Sequence, residues 1–253
     1  QLAANNGEAC LHGGRVGYDK KVWNATPEED AVVFTLLSPD GDENFPGNLS
    51  VMAIYSLTEE NALSIRYFAV TDADTTVNLT NHAYFNLAGH ASGTVLEQTL
   101  QIDASRATRI DEHIVPTGEI VPVAGGPLDF TRAKPIGRDI TSAEENMPSA
   151  RGFDHNFVLD HPHGGLEKIA RAADPAGGVT MDVYTDQPGV QLFTPYDFSG
   201  MAGKGGAAYG FRPAYCLETQ HFADAMSHPD FPSIVLHAGE VFTSETVYKF
   251  GIE

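Results

Sequence analysis

Cysteine is scarce in this chain of 253 residues: Cys10 and Cys216 are the only two, and neither lies in a CxxC pair or a Cys/His cluster. That spacing excludes a disulfide framework and gives no sign of a zinc or redox motif. Positive charge is also thin. Fifteen Lys and Arg stand against thirty-four Asp and Glu, a formal net charge of −19, which repels phosphate backbones and anionic membranes. Nucleic acid and membrane are therefore poor partners, whereas neutral polar molecules are not excluded. No apolar run nears the roughly 18 to 20 residues of a membrane helix. The first seven residues lack the charged and apolar regions of a secretory signal, so the cytoplasm is the default compartment. Absent too are the GxSxG elbow, the GxxxxGK[ST] loop and the GxGxxG turn, which removes the signatures of serine hydrolases, P-loop proteins and dinucleotide binders.

What is present is a chain that folds, with 42% hydrophobic and 19% charged residues. Alternating or β-branched stretches recur at 31–37, 49–57, 62–70, 75–79, 95–102, 179–184, 190–194, 234–237 and 241–250. Turn clusters such as Ser38-Pro-Asp-Gly-Asp42 and Pro175-Ala-Gly-Gly178 separate them. Helical signal is confined to 136–145 and 223–227, neither with a sustained apolar stripe. With no repeat and no Gly/Ser linker, one all-β domain over 1–253, a β-sandwich with few short helices, is the expected organisation.

Polar clusters punctuate this cadence. In Thr80-Asn-His-Ala-Tyr-Phe-Asn-Leu87, His82 ends a strand pattern between two asparagines, a place for a proton donor or for a hydrogen-bonded structural histidine. Glu218, in Tyr215-Cys-Leu-Glu218, is an acid inside an apolar strand-like run, where a carboxylate needs either a partner or a chemical task. Gly152-Phe-Asp-His-Asn-Phe157 mixes aromatics with Asp154 and Asn156, as a groove that stacks a sugar face and binds its hydroxyls would. His12, just before Gly13-Gly14, reads alone as a turn histidine. His161-Pro-His163 has no acid or thiol at ligand spacing, and a solvated turn is the preferred reading there over a metal site.

Leu11-His-Gly-Gly14, Gly17-Tyr-Asp-Lys20, Thr80-Asn-His-Ala-Tyr-Phe-Asn-Leu87, Gly152-Phe-Asp-His-Asn-Phe157, Gln187-Pro-Gly-Val-Gln191 and Cys216-Leu-Glu-Thr-Gln220 follow one another in an order that resembles the aldose 1-epimerase (galactose mutarotase) family. The likeness extends through the tail to Thr246-Val-Tyr-Lys-Phe250. It implies a large antiparallel β-sandwich of the galactose mutarotase-like type and an isomerase that interconverts the α and β anomers of free hexoses without cofactor or metal. By the same resemblance His82 matches the general acid and Glu218 the general base, while His12, Asp154 and Gln191 match positions that hold sugar hydroxyls.

The chemistry demands a protonated His82 and an ionised Glu218. The alternatives are a non-catalytic carbohydrate-binding module, a structural or regulatory subunit, and a hexose-6-phosphate epimerase, the last of which calls for a basic cluster that Arg15, Lys20, Arg151 and Arg212 do not form in sequence. Family members carry a further N-terminal stretch of strands with a Gly-Arg-x-x-Asn-Arg segment, which is absent upstream of Leu11 here. The expectation is that a missing segment, or a second chain, completes the sandwich.

Overall fold

Alternation of inward and outward side chains makes strand the main regular structure of the described residues. The computed structural model describes residues 1–142, 151–161 and 164–253. By contact they divide into two compact units, Gln1–Leu79 with Ser233–Val247, and Thr80–Pro232 with Tyr248–Glu253.

The first unit opens as an antiparallel meander in which β1 (Asn24–Pro27), β2 (Ala31–Ser38), β3 (Leu49–Leu57) and β4 (Ala62–Thr71) each pair with the next. In β3, Leu49, Val51 and Ala53 are buried while Ser50 and Met52 between them are exposed, the period of two expected of a sheet with one wet face. Leu49 and Val51 join Ala69, Val77 and Leu236 in a core flanked by Tyr18, Trp23, Leu79 and Phe242. A two-residue β5 (Thr75–Thr76) ends this run.

The second unit carries β6 (Thr99–Ile102), β7 (Arg106–Ile110), β8 (Pro116–Pro122), β9 (Lys134–Pro135), β10 (Asp154–Val158), β11 (Glu167–Ala173), β12 (Val179–Thr185), β13 (Gly189–Phe193) and β14 (Cys216–Gln220). Antiparallel pairing orders them as β12-β11-β6-β9 and as a five-stranded sheet, β14-β13-β10-β7-β8. Leu100, Ile102, Ala172, Met181 and Val183 of the first set and Ala107, Phe157, Val190 and Leu192 of the second are wholly buried. β15 (Val235–Leu236) returns to the first unit and pairs with β5, and β16 (Val241–Ile252) begins in the first unit and ends in the second.

The patterned stretches at 31–37, 49–57, 62–70, 179–184 and 241–250 are strands with ends within two residues of those expected. Those at 75–79, 95–102 and 234–237 shrink to their most apolar or β-branched parts. Strands β7, β8, β10 and β11 carry no such pattern. β11 reads Glu-Lys-Ile-Ala-Arg-Ala-Ala, a helix-former composition, yet it pairs on both sides and bulges between Lys168 and Ala170 so that Ile169 and Ala170 are both buried; tertiary burial overrides propensity. β8 begins and ends with proline and lies at a sheet edge, where a missing N–H breaks no ladder. Of the expected helices, residues 140–142 are helical and 143–145 lie outside the described residues. The second is a 3-10 turn, Ala225–Ser227.

Candidate active site

Strand register decides which side chains meet. Glu218 on β14 stands opposite Gln191 on β13, and Gln191 opposite Asn156 on β10. Two residues along, Cys216 stands opposite Phe193, and Phe193 opposite Asp154. Cross-strand partners share a face, as do residues two apart, so these six side chains make one patch of sheet. Gln191 Nε2 donates to Asp154 Oδ1 at 2.7 Å and ties the two rows together. Asp154, Gln191 and Glu218, named from sequence, therefore lie together. Asn156, offered with Asp154 as a hydroxyl-binding group, lies here too, and its buried amide has no hydrogen-bond partner among the described residues; Cys216 and Phe193 were not named as site residues.

His82 reaches this patch from a segment without regular structure that lies antiparallel to β14. Phe85 and Tyr215 exchange both backbone hydrogen bonds, at 2.8 and 3.0 Å. Thr80 Oγ1 donates to the Thr219 carbonyl at 3.0 Å. The buried Tyr248 hydroxyl lies 2.9 Å from the Leu217 carbonyl and 3.1 Å from Asn81 Oδ1, binding segment and strand from behind. Between these ties His82 Nε2 stands 3.6 Å from Glu218 Oε1, beyond a hydrogen bond and within ion-pair range. Tyr84 stacks on the imidazole at 5.0 Å and 27°, and Phe193 meets it edge-on at 5.7 Å. The His82 side chain is 31% exposed and Tyr84 49%, against 9% for the Glu218 side chain. The patch thus opens outward past the histidine and the tyrosine.

Residues 1–249 match the family described as Aldose 1-epimerase. The chain belongs to the aldose 1-epimerase family. It is 40% identical over 255 residues to galactose mutarotase of Bos taurus, an alignment that covers 100% of this chain and 72% of the bovine protein. A crystal structure of an aldose epimerase homologue from C. elegans superposes with a TM-score of 0.87 at 27% identity, covering 98% of this chain and 74% of that one. Galactose 1-epimerase from Lactobacillus acidophilus does so with a TM-score of 0.82 at 28% identity, covering 100% and 73%. The expected all-β, galactose mutarotase-like fold and the aldose 1-epimerase activity, an isomerisation of a sugar, are both borne out by this likeness.

Within this aldose 1-epimerase the electrostatics follow from burial. Burial, and then the Asp154 charge, push the Glu218 carboxyl up to about 8, which brings its proton exchange near neutrality. Burial, and then Glu218 and Asp154, push the Cys216 thiol upward, and burial with the charges of Cys216, Glu218 and Asp154 raises Tyr84 to about 12. His12 belongs to the first unit, while the other four residues named from sequence belong to the second. It sits with positive φ in an exposed loop held by Asn5, whose amide donates to the carbonyls of Leu11 and Gly14 at 2.9 and 2.7 Å. Gly14 is obligatory there: at φ 106 its Cβ would stand 2.3 Å from Glu43 Oε2. His161 Nε2 is 2.9 Å from the Gln187 carbonyl, and His163 lies outside the described residues. Cys216 is remote from any clustered histidine in the chain, but the fold sets it beside His82, because β14 and the segment before Phe85 run side by side.

Proposed function

We propose that this aldose 1-epimerase interconverts the α and β anomers of free hexoses, galactose and glucose among them, with His82 as acid and Glu218 as base. His82 donates a proton to the ring oxygen while Glu218 takes the proton of the C1 hydroxyl, and the C1–O5 bond breaks to give the open aldehyde. Rotation about C1–C2 presents the other face of the carbonyl, and reclosure returns both protons by the reverse roles. The observation that carries this reading is the 3.6 Å approach of His82 Nε2 to Glu218 Oε1, a spacing that lets the two groups address oxygens bonded to the same carbon.

Asp154 and Gln191 hold remaining hydroxyls, and orientation of the ring between acid and base makes two weak groups effective. The name of the bovine relative supports galactose as a substrate. Glu218, Gln191, Asn156, Cys216, Phe193 and Asp154 bring two carboxylates and no cation to the patch, which favours a neutral sugar over a sugar phosphate. Polarimetry on freshly dissolved α-galactose and α-glucose tests the proposal. His82→Gln and Glu218→Gln are each expected to lower kcat by roughly 10²- to 10⁴-fold with a smaller change in KM, and near-parental turnover in either variant would refute the assignment.

A further inference from the structure

We infer that His82, Cys216 and Glu218 together form an inhibitory binding site for a thiophilic divalent cation of the Zn²⁺ class. One ligand atom from each, an imidazole nitrogen, Cys216 Sγ and a Glu218 carboxylate oxygen, lies within 4.8 Å of the other two, and no other group of three such residues does so among the described residues. Bonds of about 2.0 to 2.3 Å to nitrogen, oxygen and sulfur set tetrahedral ligands roughly 3.3 to 3.8 Å apart. The 3.6 Å between His82 Nε2 and Glu218 Oε1 already meets that requirement. Cys216 and Glu218 are two apart on β14, so one strand face aims both inward. His82, on irregular backbone and partly exposed, is the ligand that can shift to close the remaining gap and the side past which an ion enters.

The donor set names the metal class. Thiolate and imidazole favour Zn²⁺ and its neighbours over Mg²⁺ and Ca²⁺, which take oxygen ligands. On binding, the Cys216 thiol releases its proton to solvent, as do His82 and Glu218 in whatever fraction carries one; thiolate and Glu218 carboxylate then neutralise the two positive charges while His82 binds as neutral imidazole. Because the ion takes up the lone pairs of both His82 and Glu218, it and the sugar are mutually exclusive. The site needs only this arrangement of ligand atoms, whatever roles His82 and Glu218 have in turnover.

Metal titrations of the protein and of Cys216→Ser and Cys216→Ala test the inference, with inhibition in each read as the ratio of its own rate in Zn²⁺ to its rate in EDTA. Zn²⁺ should bind one per chain by calorimetry and slow mutarotation, reversibly with EDTA. Each Cys216 variant should weaken both effects by more than about tenfold. Co²⁺ used as a probe should give a near-ultraviolet thiolate-to-cobalt band that both variants lack. Zn²⁺ inhibition of equal strength in parent and variants, or Co²⁺ binding without the thiolate band, would overturn the site. Loss of turnover in His82→Gln measured in EDTA reports on the acid-base assignment alone, so the two readings fail separately.

Discussion

His155 lies on β10 between Asp154 and Asn156, so its ring points to the opposite face of the sheet, where it is buried. Its Nδ1 accepts the Asp154 backbone N–H at 3.1 Å, and burial lowers its pKa to about 4 from 6.5. The unfolded chain takes up this proton as pH falls through 6.5, but the native state resists until about 4. Native stability is therefore lost across that window, by about 3 kcal/mol in all. Urea denaturation at pH 7 and pH 5 should show a steeper fall for the parent than for His155→Gln, and parallel falls would mean that the ring is not held neutral. Tyr248→Phe removes the hydroxyl between Leu217 and Asn81. We expect a loss of about 1 to 2 kcal/mol and, because the His82 segment loosens, a lower kcat by polarimetry with KM changed less. A destabilised variant with parental kcat would show that this tie does not position His82.

At the scale of the element, β13 is the strand on which the site depends, since it pairs with both β10 and β14 and so sets which residues share a row. Gly189 opens it. A Cβ there would stand 2.5 Å from Asn156 Oδ1 and 2.9 Å from the Phe222 ring, an overpacking that costs about 1 to 3 kcal/mol. Gly189→Ala should lower the urea midpoint by a corresponding amount and raise KM as Asn156 and its neighbours are displaced. A midpoint equal to the parent's would mean that Asn156 and Phe222 yield freely. β11 and β8 show why some elements escape a reading of the chain. Ile169 and Ala170 are buried in succession through a bulge, and Pro116 and Pro122 are tolerated because β8 has a neighbour on one side only. Both causes lie in the partner strands.

Over the whole molecule, a formal charge of −19 destabilises the folded chain by self-repulsion while leaving a neutral ligand unsteered. Raising ionic strength shortens the screening length from about 30 Å at 0.01 M to about 8 Å at 0.15 M. Tm should therefore rise with NaCl over that range while kcat/KM for a neutral hexose stays nearly constant. A Tm that falls, or a strongly salt-dependent kcat/KM, would contradict this reading of the charge. Among the described residues no helix is long and apolar enough to cross a membrane.

The sequence by itself determined the strand character of stretches such as 31–37 and 49–57, because β-branched composition and inside-outside alternation are local properties of a chain. It also carried the residue types of the proposed acid and base and of three hydroxyl-binding positions, because their flanking motifs are contiguous. Tertiary structure decided which of these side chains meet. Cross-strand register put Glu218, Gln191 and Asp154 on one face and set Phe193 and Cys216 among them, and pairing of Phe85 with Tyr215 brought His82 to Glu218 across more than a hundred residues of chain. Register is a relation between distant segments, and no local pattern in either strand encodes it.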